Sequence, residues 1–239
     1  MLRDEIYAPP GLPDWLVSWP PVWSADGSAM ACRLTSRAIQ KECVAVDGRR
    51  GEEFDRVGMP ALSRDGKRVA YRAHQGERSF VVVGLRRGPE VELMTDPAIS
   101  ADGRVVAYAA RLDGRWRILV DGREIAVEAQ PSHVFLSDDG RSVGWQAGTG
   151  SDGAAKVRVV VNGIAGAPFT LVGRPVFSPD GRRVAYAADD GTKQYIVIDD
   201  AKVEVSGRLS DPAFSPDGKQ VGYGARAGRE LWWKVLDVP

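Results

Sequence analysis

Phe177-Ser178-Pro179-Asp180-Gly181-Arg182-Arg183-Val184-Ala185-Tyr186 is the stretch that decides the fold. A polar Ser-Pro-Asp-Gly corner leads into a β-branched and aromatic run. Runs of that kind, bounded by Gly and Asp, read as strands. The Asp-Gly pair suits a tight hairpin, because glycine takes a positive φ without a Cβ clash. Proline at 179 presets the first corner of a type I turn, and the aspartate can bond backbone amides across it.

The corner recurs five more times, as Ser24-Ala25-Asp26-Gly27, Ser63-Arg64-Asp65-Gly66, Ser100-Ala101-Asp102-Gly103, Ser137-Asp138-Asp139-Gly140 and Ser215-Pro216-Asp217-Gly218. Successive aspartates are 39, 37, 37, 41 and 37 residues apart. A short apolar pair precedes each corner, from Val22-Trp23 to Ala213-Phe214, and a strand such as Val69-Ala70-Tyr71 or Val106-Ala107-Tyr108 follows. A third strand comes next, for example Phe80-Val81-Val82-Val83 or Tyr195-Ile196-Val197-Ile198. Asp47-Gly48, Asp121-Gly122, Asn162-Gly163 and Asp199-Asp200 then mark a second hairpin, and Glu124–Val127 and Lys202–Val205 exemplify a fourth strand. Four antiparallel strands in about 40 residues make one propeller blade.

The Phe-Ser-Pro-Asp-Gly-(Arg/Lys)-x-Val-(Ala/Gly)-Tyr string at 177–186 and 214–223 resembles the PD40, or TolB-like, β-propeller repeat. The resemblance covers nearly the whole chain, and implies a propeller used as a binding platform. WD40 repeats match less well, since no Trp here is followed by Asp. The expected fold is all-β: a single six-bladed β-propeller over residues 1–239, built of four-stranded antiparallel blades. The sixth repeat lacks a fourth strand, and Arg3-Asp4-Glu5-Ile6-Tyr7 is an extended stretch with no place in the first, so the N-terminal strand is expected to close the last blade.

Composition narrows the function classes. The chain has 239 residues, 32 basic and 32 acidic, and a net charge of zero. That balance argues against a nucleic-acid partner or an anionic membrane surface. Arg86-Arg87 and Arg182-Arg183 read as solvated turn residues. No basic stretch precedes a 7–15-residue apolar run near the N-terminus, so the sequence reads as cytoplasmic, or as exported after loss of a signal peptide. Cys32 and Cys43 fall on neighbouring strands of the first blade; a disulfide is geometrically possible, and two reduced buried thiols are favoured. Trp23 matches a core position. Trp15 and Trp19 are either a cover over the ring or an exposed contact site.

No catalytic constellation is visible: the motif serines are structural, neither histidine is tied to a cysteine, and there is no Gly-x-Ser-x-Gly or Walker A sequence. No cofactor and no clustered metal ligands are expected. One slot differs from blade to blade. Six residues before each motif aspartate stand Pro20, Met59, Asp96, His133, Arg174 and Asp211. Asp96, His133, Arg174 and Asp211, near one channel mouth, are the expected binding residues, with Trp15 and Trp19 as the second surface. The expected function is a non-catalytic binding module or scaffold for a protein or peptide partner, on a monomeric propeller. The alternative is a propeller hydrolase or lactonase with a metal at the mouth.

Overall fold

A computed structural model describes residues 15–18, 20–127, 129–149 and 156–238. In it, the Ser-x-Asp-Gly corner builds the same hydrogen-bonded device six times. The glycine N–H donates to the serine carbonyl at 2.8–3.0 Å. The serine hydroxyl donates to the aspartate Oδ1 at 2.6–2.9 Å. The same hydroxyl accepts the N–H five residues on, at 2.9–3.0 Å. The glycines have φ of 66–73°. Five of the six serines are buried, so each hydroxyl is satisfied at both ends without water. These bonds hold all six aspartate carboxyls below the ordinary range: the serine hydroxyl contributes most at Asp65, Asp139, Asp180 and Asp217, the Ser28 hydroxyl at Asp26, and the Arg104 amide at Asp102.

The described strands form antiparallel sheets, six in number among these residues. Each runs first, second and third strand in order, and five end on a fourth. The second sheet is typical: Arg56–Val57 and Ala61–Leu62 share the first position, then come Val69–Gln75, Arg78–Val83 and Arg86–Arg87. The first position is split in this way in five sheets; in the fourth it is one strand, Pro131–Leu136, with a register shift between Pro131 and His133. The two-residue first pieces, such as Leu93–Met94, are too short to show in a periodicity. The hairpin after the third strand is as expected at Asp47-Gly48, Asp121-Gly122 and Asn162-Gly163, where both residues have positive φ. Each side chain there also accepts the N–H that opens the second strand, as Asp121 does from Val106 at 3.1 Å.

Two units divide the chain, Met1–Ala126 and Val127–Pro239. In the first, buried Tyr71 and Phe54 meet edge to face at 6.3 Å between Ala31 and Phe80, and Tyr108 packs with Val81 and Leu119. In the second, Phe169 and Tyr186 repeat the edge-to-face pair at 6.3 Å, and Tyr223 packs against Ile196 and Ile198. Within each unit the apolar cores thus lie between successive sheets, where one sheet's third strand meets the next sheet's second.

Three sequence readings change or resolve. Trp23 is 61% exposed rather than core. Its counterparts Leu62 and Phe177 pack on the core shared with the preceding sheet, and no sheet precedes Trp23 in its unit. Trp15 is 5% exposed, in the first strand of the first sheet, packed with Cys32, Leu34 and Cys43 under the Arg50 guanidinium, 5.1 Å from its ring. Cys32 pairs with Ala45 and Cys43 with Leu34, one diagonal step apart, and both are free, buried thiols. Trp19 and the stretch Arg3–Tyr7 lie outside the described residues.

Candidate functional site

In five of the six sheets the variable slot sits where the first strand's two pieces part, so its backbone is free of the ladder there; in the fourth, His133 lies within the unbroken strand, opposite Gln146. Asp96 follows Leu93–Met94 in the third sheet, and its carboxylate lies 2.7 Å from the Arg72 Nε of the second sheet, an ion pair rather than an aligned hydrogen bond. A Cβ on Gly58 would overlap both partners, so the glycine leaves the room in which the pair forms. Asp211 does the same work in the second unit. Its Oδ1 accepts the Arg174 N–H at 2.9 Å, and a Cβ on Gly173 would stand 2.5 Å from that oxygen.

Asp96 and Asp211 therefore each tie back to the preceding sheet, Asp96 to the Arg72 side chain of its second strand and Asp211 to the backbone of its slot. A sequence signal for this exists. Glycine precedes the slot at Gly58 and Gly173 only, and the next repeat's slot is then aspartate, Asp96 and Asp211, in both cases. Read one repeat at a time, the pairing is invisible.

A second set of residues, missed in the sequence, stands one place after the core aromatic on the second strand. Arg33 Nη1 donates to the Val57 carbonyl at 3.3 Å, Arg72 meets Asp96, and Gln146 Nε2 donates to the Gly173 carbonyl at 2.7 Å. Each reaches the first strand of the following sheet. The corresponding residues Ala109, Ala187 and Gly224 are small. Their alternation with Arg and Gln hides the slot from any hydrophobic pattern.

Of the remaining expected residues, His133 is half-buried, stacked on Phe135 with centroids 6.2 Å apart. Arg174 is exposed; its backbone N–H serves Asp211, and its guanidinium makes no ion pair among the described residues. Among those residues, no three His, Cys, Asp or Glu side chains gather as metal ligands do.

No family model matches the chain, and no curated protein matches it. Solved structures do. The β-propeller domain of the trilobed protease from Pyrococcus furiosus, described as having an open velcro topology, is 12% identical over 92% of this chain and 80% of that one, with a TM-score of 0.57. Prolyl oligopeptidase B from Galerina marginata is 11% identical over 89% of this chain and 38% of its own, also with a TM-score of 0.57. TolB from Acinetobacter baumannii is 16% identical, with a TM-score of 0.46; 91% of this chain is covered, and it spans 60% of the TolB chain. In fold, the chain is similar to a β-propeller domain.

Proposed function

We propose that the six sheets are the blades of one six-bladed ring, that Arg3–Tyr7 completes the last blade, and that the ring is a non-catalytic binding module for a protein or peptide partner. Arg174 carries this reading. It stands in the slot that differs from repeat to repeat, its side chain is exposed, and no acidic side chain among the described residues neutralises it. A cation that the fold does not use is free for a partner. His133 and Asp211 occupy the same slot in the sheets on either side of it. The alternative, a metal-dependent hydrolase or lactonase, draws no support from Asp96 and Asp211, which are engaged in holding neighbouring strands.

The test is Arg174→Glu, because Asp96 and Asp211 have structural duties and Arg174's side chain has none. The variant should keep its circular dichroism spectrum and lose partners captured from the native host, with an affinity drop of about tenfold or more. Capture of the same partners at unchanged affinity would move the working surface elsewhere.

A further inference from the structure

The peptide that joins Gly173 to Arg174 is gripped from both sides. Its carbonyl, on Gly173, accepts a hydrogen bond from the Gln146 Nε2 of the fourth sheet at 2.7 Å. Its N–H, on Arg174, donates to the Asp211 Oδ1 of the last sheet at 2.9 Å. One step back, the Gly173 N–H donates to the Ala187 carbonyl of its own sheet at 2.8 Å. One step on, Pro175 is buried, and a residue before proline is confined to extended backbone. The corresponding place in the second sheet is built differently. There Arg33 takes the carbonyl of Val57, one peptide earlier, and Asp96 meets the Arg72 side chain. The grip on 173–174 extends no ladder, since it falls between Leu171–Val172 and Val176–Phe177. It fixes the Cα of an exposed cation. A side chain that starts from a fixed backbone loses fewer arrangements when something binds it.

We infer that Arg174 is a pre-organised receptor for one carboxylate group of a partner, and that Gln146 and Asp211 are its positioning residues. The inference rests on the reading of Arg174 given above; it adds the chemistry recognised and the residues that present the guanidinium.

A guanidinium offers two parallel N–H donors in one plane, which matches a carboxylate edge on. The Arg174 fork makes no ion pair among the described residues. Asp211 sets the charge of the ligand. Its Oδ1 is bound to the Arg174 backbone, not to the guanidinium, so the carboxylate stays beside the site as a negative charge. Repulsion grows with the charge of the incoming anion, which favours a monoanion over a phosphate dianion. Asp211 thus acts in two opposite ways, through its charge against the ligand and through its acceptor oxygen in favour of it. Substitution can separate the two.

The experiment is a titration of the full chain, followed at the Arg174 Nε–Hε resonance. N-acetylglycine stands for a chain terminus, N-acetylglutamate α-amide for an internal acidic side chain, and inorganic phosphate for a dianion. Either carboxylate should bind more tightly than phosphate, and the tighter of the two assigns the source. Gln146→Ala changes no charge and should weaken the carboxylate about threefold or more. Asp211→Asn and Asp211→Ala remove the same charge, but only asparagine keeps an acceptor for the Arg174 N–H. The asparagine variant should therefore bind about threefold tighter than the alanine variant. Equal affinity in either comparison, or tighter binding of phosphate, overturns the inference. Should a variant not fold, the wild type still decides. Its Arg174 amide should be as rigid as a strand, with an order parameter of about 0.85, and a value below about 0.6 overturns the inference. Partner capture by Arg174→Glu is read separately. Retained capture would end the partner reading and leave the small-carboxylate site standing; equal affinities would end the receptor and leave capture untouched.

Discussion

Gly181 is held by two independent constraints. Its φ is 69°, and a Cβ there would stand 2.8 Å from the Ser137 Cβ of the preceding turn. Gly181→Val therefore strains the backbone and pushes one turn off the next. The expected loss is on the order of 1–3 kcal/mol by denaturant titration. A loss of a few tenths would mean that the turn yields at no cost. The first constraint is legible in the sequence, because all six copies keep the glycine. The second is not, since contact between corners 41 residues apart is a property of the assembled sheets. Asp211 shows the same limit. As a lone letter it reads as a solvated carboxylate at a binding site; in the structure it accepts the Arg174 N–H. Asp211→Ala leaves that amide to water, and should cost about 0.5–1.5 kcal/mol. An unchanged denaturation midpoint would return Asp211 to the role of a free surface group.

At the scale of the element, the strands most open to reading are those bounded by corners. Val69–Gln75 and Val184–Asp189 follow their turns at fixed distance and carry the core tyrosine. The first strand is the least open, because its two pieces are short and its middle faces the slot rather than the ladder. Trp15 illustrates this: prolines on both sides hide a three-residue strand that pairs with Leu34–Ser36. The adjoining thiols give a direct check on that packing. Burial pushes the Cys43 thiol up to about 12 and raises Cys32 as well. The thiolate is the reactive form. Native protein at pH 8 should therefore react with iodoacetamide far more slowly than unfolded protein, by about a hundredfold or more. Equal rates would show that the first sheet opens freely.

For the molecule as a whole, the repeats turn small local effects into a shape of stability against pH. Six motif aspartates share a lowered value, so each is bonded more favourably as a carboxylate in the fold than in the open chain. That contribution is complete above the ordinary aspartate value of about 4, and is lost as pH falls through the lower folded values. At the other end, burial lifts Tyr71 and Tyr186 to about 12. Their phenols are neutral in the fold while the open chain ionises near 10, so stability falls as pH climbs from about 10 towards 12. Thermal midpoints should form a plateau with two shoulders. A flat profile down to about pH 2 would mean that the six corners contribute nothing through their carboxylates. The repeat count and the strand order were legible at this scale because they follow from period and turn chemistry. Partner choice was not, because the slot proposed for it holds residues that do not repeat.

The side chains of Arg33, Arg72 and Gln146 all reach forward, each to the first strand of the sheet that follows it in the chain. The tie has a direction, and so does synthesis. As the chain leaves the ribosome, the first, second and fourth sheets have their reaching side chains synthesised before the strands these side chains bond, so a donor precedes its acceptor in the order of synthesis.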